Sequence, residues 1–152
     1  MPRPRNNRIV HEPPVFTEFK PVGIARRDLR EVLLTLDEFE AMRLADFIGL
    51  SHEEGADEMG ISRSTFSRLI EKSRKKIAEF IFLGRLMRID GGNIHFRKNI
   101  IQCFNCGHML KLNIDSPITE CPECHSEKLI NLAGGFGHGE CCRTRNFNHK
   151  HS

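Results

Sequence analysis

Residues 49–76 read GLSHEEGADEMGISRSTFSRLIEKSRKK, and the fold turns on whether this is two helices around a tight turn or one solvated charged helix. The spacing predicts the first. Ser51 with Glu54 matches the S/T-x-x-E capping box, in which the hydroxyl and the carboxylate each satisfy an orphan backbone N–H. Ser62 offers the next N-cap. Gly49 and Gly60 stand where a left-handed residue lets one helix end and the chain turn into the next. The expected layout is a short helix from Ser51 to Glu58, a turn over Met59 to Ile61 and a long helix from Arg63. Upstream, Thr35 with Glu38 is a further capping box, so the helical pattern runs from Thr35 to about Leu83.

Charge is segregated between these segments. Leu36 to Met59 holds eight acids and one base, whereas Ser62 to Arg88 holds eight bases and two acids. A nucleic-acid duplex repels carboxylates and attracts guanidinium and ammonium groups, so a duplex-binding protein keeps its acids on supporting helices and its bases on the inserted one. A helix-turn-helix has that plan, with a short positioning helix and a second helix whose N-terminal side chains reach the major groove. At about 100° per residue, Phe66, Leu69, Ile70, Ser73, Ile77 and Phe80 share one face, and Ser64, Arg68, Glu71 and Lys75 fall opposite. Ser64, Ser67 and Arg68 are therefore expected to meet base edges, Arg68 as a bidentate contact to guanine. Arg63, Thr65, Lys72 and Lys75 are expected to hold phosphates, helped by the helix amides that follow Ser62. The competing reading is a soluble surface helix with no ligand.

The residues also carry a resemblance. LTLDEFEAMRLADFIGLSHEEGADEMGISRSTFSRLIEKSRKKIA resembles the C-terminal DNA-binding region of bacterial sigma factors. PRPR near the start, FKPVGI, LDEFEAMRLAD, MGISRSTFSRL and IDGG look like the landmarks of a small prokaryotic family, the domain of unknown function 134 family, over roughly residues 2 to 96. The resemblance implies a DNA-binding protein. Asn6 and Asn7 depart from the more basic arm expected of that family. Gly55 stands where the family usually has Ala, which on helix propensity alone softens the positioning helix by about 1 kcal/mol.

The second half changes character. LMRIDGGNIHF, residues 86–96, alternates apolar residues around Asp90, Gly91 and Gly92 and predicts a β-hairpin. CFNCGHMLKLNIDSPITECPEC, residues 103–124, gives Cys103-x2-Cys106, fourteen residues, then Cys121-x2-Cys124. Two residues between thiolates let both point at one ion, and a hairpin of this length brings the second pair opposite to close a tetrahedron. Gly107 suits the knuckle turn after the first pair, and His125 in the matching place does not. Four soft sulfur donors with no open position favour a structural Zn²⁺, with iron on the same thiolates as the alternative. In the tail, His138, Cys141, Cys142, His149 and His151 crowd a Gly-rich segment, enough donors for a second, more labile metal or redox site. The bland alternative is a polar tail with idle thiols.

Composition bounds the rest. The 152 residues carry a net charge of +3, no Trp or Tyr and eleven Phe, which suits one ordinary domain plus a small module. No apolar run long enough to span a membrane and no secretory signal occur, so the expected location is cytoplasmic, with reduced cysteines. Residues 1–24, with five Pro and Arg3, Arg5 and Arg8, read as an extended arm, either solvated or touching phosphates. ARRDLREVLL, residues 25–34, reads as an extra short helix. The expected class is α+β: arm over 1–24, helix-turn-helix domain over 25–84, hairpin and zinc ribbon over 85–132, tail over 133–152. The expected function is transcription regulation through double-stranded DNA, as a monomer or a homodimer on paired half-sites. The alternative is a ribbon that docks on RNA polymerase or another protein. An enzyme with Cys141 or Cys142 as nucleophile is disfavoured, because no base or oxyanion donors flank the pair.

Overall fold

The computed structural model describes residues 8–138 and Cys142. Among the described residues the chain is mixed α+β, with four α-helices and three small sheets. It divides into two compact units that interleave in sequence. The first takes residues up to Ile9 and then Phe16–Ile94; the second takes Val10–Val15 and everything from His95.

The first unit is built on helices. Helix α1 (Leu36–Met42) runs on into a π-helical segment, Arg43–Ile48, where the Gly49 N–H reaches back five residues to the Leu44 carbonyl at 3.1 Å. Gly49 then turns left-handed at φ 93° and ends the run. Helix α2 (His52–Met59) starts on the full Ser51–Glu54 capping box, with the Glu54 N–H donating to Ser51 Oγ at 3.1 Å and the Ser51 N–H donating to Glu54 at 3.0 Å. The Ser51 N–H, first, and the Ser51 hydroxyl hold the Glu54 carboxyl below its ordinary range. Gly60 closes α2 at φ 66°, and α3 (Arg63–Leu83) begins on Ser62, whose Oγ accepts the Thr65 N–H at 3.2 Å. Phe66, Leu69 and Ile70 of α3 join Ala41, Leu44, Ala56 and Met59 in one buried cluster.

Three acids at the head of α1 are buried: Asp37, Glu38 and Glu40. A buried carboxylate is tolerated only with a partner, and each partner comes from a different place. Arg8 of strand β1 (Arg8–Val10) pairs with Asp37, Lys76 of α3 reaches Glu38 at 2.6 Å, and Arg43 of the π segment meets Glu40 at 2.6 Å. Arg8 is thus committed inside the protein rather than offered to a phosphate, and Arg3 and Arg5 lie outside the described residues.

The expected hairpin does not form. Strand β4 (Leu86–Ile89) is the middle strand of a sheet with β2 (Glu18–Phe19) antiparallel on one side and β3 (Glu31–Leu34) parallel on the other, in register Leu34 to Ile89. Both edges of β4 are occupied before β5 (Ile94–Phe96) is reached, and β5 belongs to a different ladder, with β1. Gly91 and Gly92, at φ 80° and 99°, still make the turn. It carries the chain past the start of α1, where the Leu36 N–H donates to the Gly91 carbonyl at 3.0 Å. The arm is likewise recruited as strand, and residues 25–34 form one 3-10 turn (Arg26–Asp28) followed by β3 instead of a helix. Val32 and Leu34 are buried while Glu31 and Leu33 are exposed, the alternation of a strand with one face inward.

The second unit is a three-stranded antiparallel sheet, β6 (Lys98–Cys103) between β7 (Met109–Asn113) and β8 (Leu129–Asn131). Gln102 stands across from Met109 on one side and Ile130 on the other. A buried Asn99 organises the chain beyond β8: its Oδ1 accepts the Ala133 N–H at 3.0 Å and its Nδ2 donates to Asn131 Oδ1 at 2.7 Å. These bonds start the one-turn helix α4 (Leu132–Gly135). It ends in a Schellman pattern, the His138 N–H on the Ala133 carbonyl and the Gly137 N–H on the Gly134 carbonyl, with Gly137 at φ 80°.

Gly55 has a reason that helix propensity does not supply. It is buried in α2, and a Cβ there would lie 2.3 Å from Phe66 Cζ and 2.6 Å from Cε2. Phe66 is wholly buried, with its ring edge-on to His52, so it has nowhere to retreat. Propensity alone favours Gly55→Ala by about 1 kcal/mol, whereas overpacking costs about 1–3 kcal/mol. We expect the substitution to destabilise the protein, read as a lower urea midpoint at unchanged slope. A rise would mean that Phe66 repacks.

Candidate functional site

Two regions gather chemistry, one in each unit. On α3 the side chains opposite the buried cluster are Ser64, Arg68, Glu71, Lys72 and Lys75, all exposed. The bases of α3 fall into two groups. Arg74 is spent on Asp46 at 2.6 Å and Lys76 on Glu38; the Arg74 guanidinium, donating to Asp46, holds that carboxyl below its ordinary range. Arg63, Arg68, Lys72 and Lys75 are exposed and make no ion pair among the described residues. The helix therefore neutralises the cations that face its neighbours and leaves charged those that face outward.

The hydroxyls are less available than their spacing suggests. Ser67 Oγ lies 2.8 Å from His52 Nδ1 and ties α3 to α2. Ser62 is the N-cap and also donates to Thr65 Oγ1 at 2.8 Å, and Ser64 Oγ sits 3.2 Å from Ser62 Oγ. The local role of these residues is to start and seat the helix.

In the second unit Cys103, Cys106, Cys121 and Cys124 converge, with their sulfurs all within 4.8 Å of one another. The two knuckles repeat each other bond for bond. The Cys103 N–H donates to the His108 carbonyl and the Gly107 N–H to the Cys103 carbonyl; the Cys121 N–H donates to the Ser126 carbonyl and the His125 N–H to the Cys121 carbonyl. The Cys106 N–H at 3.5 Å and the Glu123 N–H at 3.4 Å point at the sulfurs of Cys103 and Cys121.

The four sulfurs fit a tetrahedral ion. With metal–sulfur bonds of about 2.3 Å, the edge of such a tetrahedron is about 3.8 Å. Cys103 and Cys124 stand 3.5 Å apart, and Cys106 and Cys121 3.6 Å. The thiols differ in acidity. Cys124 is pulled down to about 6, first by the Ser126 N–H and then by the Asn105 amide. The His108 N–H draws Cys106 downward, but burial and the three neighbouring thiols outweigh it and push Cys106 up to about 12. Four thiolates at this separation repel one another, and a divalent ion removes that conflict. The cluster could hold a metal ion through these four residues, which would serve as a cross-link between the knuckles.

A second constellation was only half legible. Of the five tail residues singled out, His138 and Cys142 come together, and Cys141, His149 and His151 lie outside the described residues. The partner that the spacing missed is His95 of β5, whose Nδ1 lies 3.3 Å from Cys142 Sγ. Cys142 Sγ is buried, accepts the Phe96 N–H at 3.2 Å and lies 3.8 Å from His138 Nδ1. Burial lowers the basicity of His138. A lone His in an alternating strand gives no sequence signal; only the path of the chain after α4 brings the donors together.

His125 takes the left-handed conformation that its residue type disfavours, φ 61°, matching Gly107 at φ 79°. A non-glycine residue there costs about 1–2 kcal/mol, part of which glycine returns as unfolded-chain entropy. His125→Gly should stabilise the second unit by up to about 1 kcal/mol, read as a higher thermal midpoint. Gly107→Ala, where a Cβ meets nothing within 4 Å, should lower it through backbone strain alone. Shifts of the same sign at both sites would contradict the pseudo-symmetry.

Comparison with known proteins agrees with the landmarks read from the sequence. Residues 1–97 match the family model described as "Protein of unknown function DUF134". Over 148 residues the chain is 41% identical to a UPF0251 protein of Chloroherpeton thalassium, covering 95% of this chain and 98% of the relative. It is 39% identical over 147 residues to a UPF0251 protein of Moorella thermoacetica, covering 97% of each. It is 45% identical over 96 residues to a UPF0251 protein of Methanococcus vannielii, covering 63% of this chain and 74% of the relative. No solved structure matches. The matched residues hold the capped helices, the acid-rich α1 and the Gly91–Gly92 turn, and on that match the chain belongs to the DUF134 family of unknown function.

Proposed function

We propose that the chain binds double-stranded DNA as a transcription regulator, with α2 and α3 as a helix-turn-helix of the sigma-factor type and a structural Zn²⁺ on Cys103, Cys106, Cys121 and Cys124. One observation carries the reading: α3 pairs off the cations that face its neighbours and leaves Arg63, Arg68, Lys72 and Lys75 charged and exposed. A surface helix made only for solubility has no need to sort its bases in this way. The first turn supports the reading further, since its amides follow a cap at Ser62 and carry no acidic residue. Within this reading Arg68 reads a base, and Arg63, Lys72 and Lys75 neutralise phosphates. Zinc fits the closed set of four soft donors, and the ion supplies a fixed cross-link in a sheet too small to hold its shape by apolar burial alone.

A second reading, docking on RNA polymerase or another protein, draws on the second unit. Phe104 is 72% exposed, Met109 48% and Ile130 40%, and Met109 and Ile130 flank Gln102 across the sheet. A protein partner would cover such a row.

The adjacent pair Lys75 and Lys76 provides the test. Lys75→Ala should leave the thermal midpoint unchanged and reduce the slope of log binding constant against log salt by about 1. Lys76→Ala removes the cation from the buried Glu38 and leaves it, among the described residues, only the Thr35 N–H, so it should lower stability by about 3 kcal/mol and leave the slope alone once the protein is folded. Arg68→Ala should cost about 1–3 kcal/mol and relax preference at one base pair in a selection from random duplexes. Folded, zinc-loaded protein that ignores duplex at low salt would overturn the proposal and leave the docking surface as the better reading.

A further inference from the structure

We propose that His95, His138 and Cys142 form a second transition-metal site, separate from the four-cysteine cluster, that takes a borderline-soft divalent cation such as Zn²⁺ or Co²⁺ and exchanges it more readily.

The geometry is that of a coordination sphere. For metal–nitrogen bonds of about 2.0–2.1 Å and a metal–sulfur bond of about 2.3 Å, the nitrogen-to-sulfur edge of a tetrahedron is about 3.6 Å. The two observed edges, 3.3 Å from His95 Nδ1 and 3.8 Å from His138 Nδ1 to Cys142 Sγ, bracket that length. All three donor atoms lie within 4.8 Å of one another. The imidazole rings stand nearly perpendicular, at 82° with centroids 5.9 Å apart, so that each presents its Nδ1 edge to the sulfur without stacking. A single cation placed among them would meet the sulfur and both nitrogens together.

The surroundings are those that metal sites require. The Phe96 N–H donates to the sulfur, as an outer-shell donor does to a bound thiolate. Phe96, itself wholly buried, packs its ring against His138 at 5.4 Å and Phe136 at 6.0 Å, which gives the site an apolar wall. Position is fixed from both sides. His95 sits on β5, and His138 is delivered by α4, whose start is pinned by Asn99 and whose end is the Gly137 turn. Three donors against the four of the cysteine cluster, two of them neutral imidazoles, make the second ion the weaker held.

Cobalt titration of the full chain tests this, followed by absorption and by metal counting after gel filtration. The wild type should take two equivalents, one with the spectrum of four thiolates and one with a single thiolate and nitrogen donors. Brief exposure to a chelator should remove the second first. His95→Ala and Cys142→Ser should each weaken the second equivalent by more than about 100-fold, beyond what loss of an outer-shell partner costs, with the four-thiolate spectrum unchanged as proof that the second unit is folded. His138→Gln should do the same by an independent change. A wild type that takes only the four-thiolate equivalent, or variants that keep the second at full affinity, would overturn the proposal. Neither result depends on whether the chain binds DNA.

Discussion

The first unit depends on three buried carboxylates. Asp37, Glu38 and Glu40 sit within the first turn and a half of α1, where the helix field favours negative charge but burial opposes it. The conflict is resolved by importing cations from three directions: Arg8 from the edge of the N-terminal segment, Arg43 from the next turn and Lys76 from the long helix. Each pair fixes a relation that apolar packing leaves loose. The pair to Lys76 ties α3 to the start of α1 on the side where Phe66, Leu69 and Ile70 pack. The acid-rich and base-rich halves of the sequence are therefore coupled in the protein interior first, and any meeting with an anionic partner is built on the charges left over.

Charge sorting of this kind gives adjacent residues opposite duties. Arg74 and Lys76 flank Lys75, yet they are held by acids of the π-helical segment and of α1 while Lys75 makes no ion pair among the described residues. The π-helical segment contributes here, because Asp46 lies inside it and meets Arg74 from there. In the second unit the same economy appears in sulfur. Four cysteines sit in two knuckles with equivalent backbone bonds, and Cys142, the other cysteine among the described residues, is buried beside two histidines and a backbone donor.

Much of the first unit was legible because its signals are local. Caps at Ser51 and Ser62, left-handed glycines at 49 and 60, and the apolar stripe through Phe66, Leu69 and Ile70 act over a few residues and need no knowledge of the rest of the chain. The cysteine spacing was legible for the same reason. What failed was pairing between distant segments. The alternation around Gly91 and Gly92 is a true strand–turn–strand signal, but the strands take partners from residues 8–34, and nothing near residue 90 announces them. Gly55 misled in a related way, since its purpose is a ring eleven positions on and not the flexibility of its own helix. His95 was invisible until β5 and α4 were placed. Local rules spoke for elements, and long-range occupancy decided their company.

The interleaving of the two units bears on how the chain emerges from a ribosome and on how it can be cut. Residues 10–15 are made early but belong with residues from His95 onward; the Val10 and His11 carbonyls accept the N–H groups of Arg97 and Lys98. During synthesis this short segment must therefore stand idle, looped out of an otherwise complete helical unit, until some eighty residues later its partners arrive. A fragment begun at His95 would lack one flank of its own structure, and a fragment ended at Ile94 would carry an orphaned proline-bearing loop. A cut after Ile94 therefore spares the first unit and takes residues 10–15 from the second.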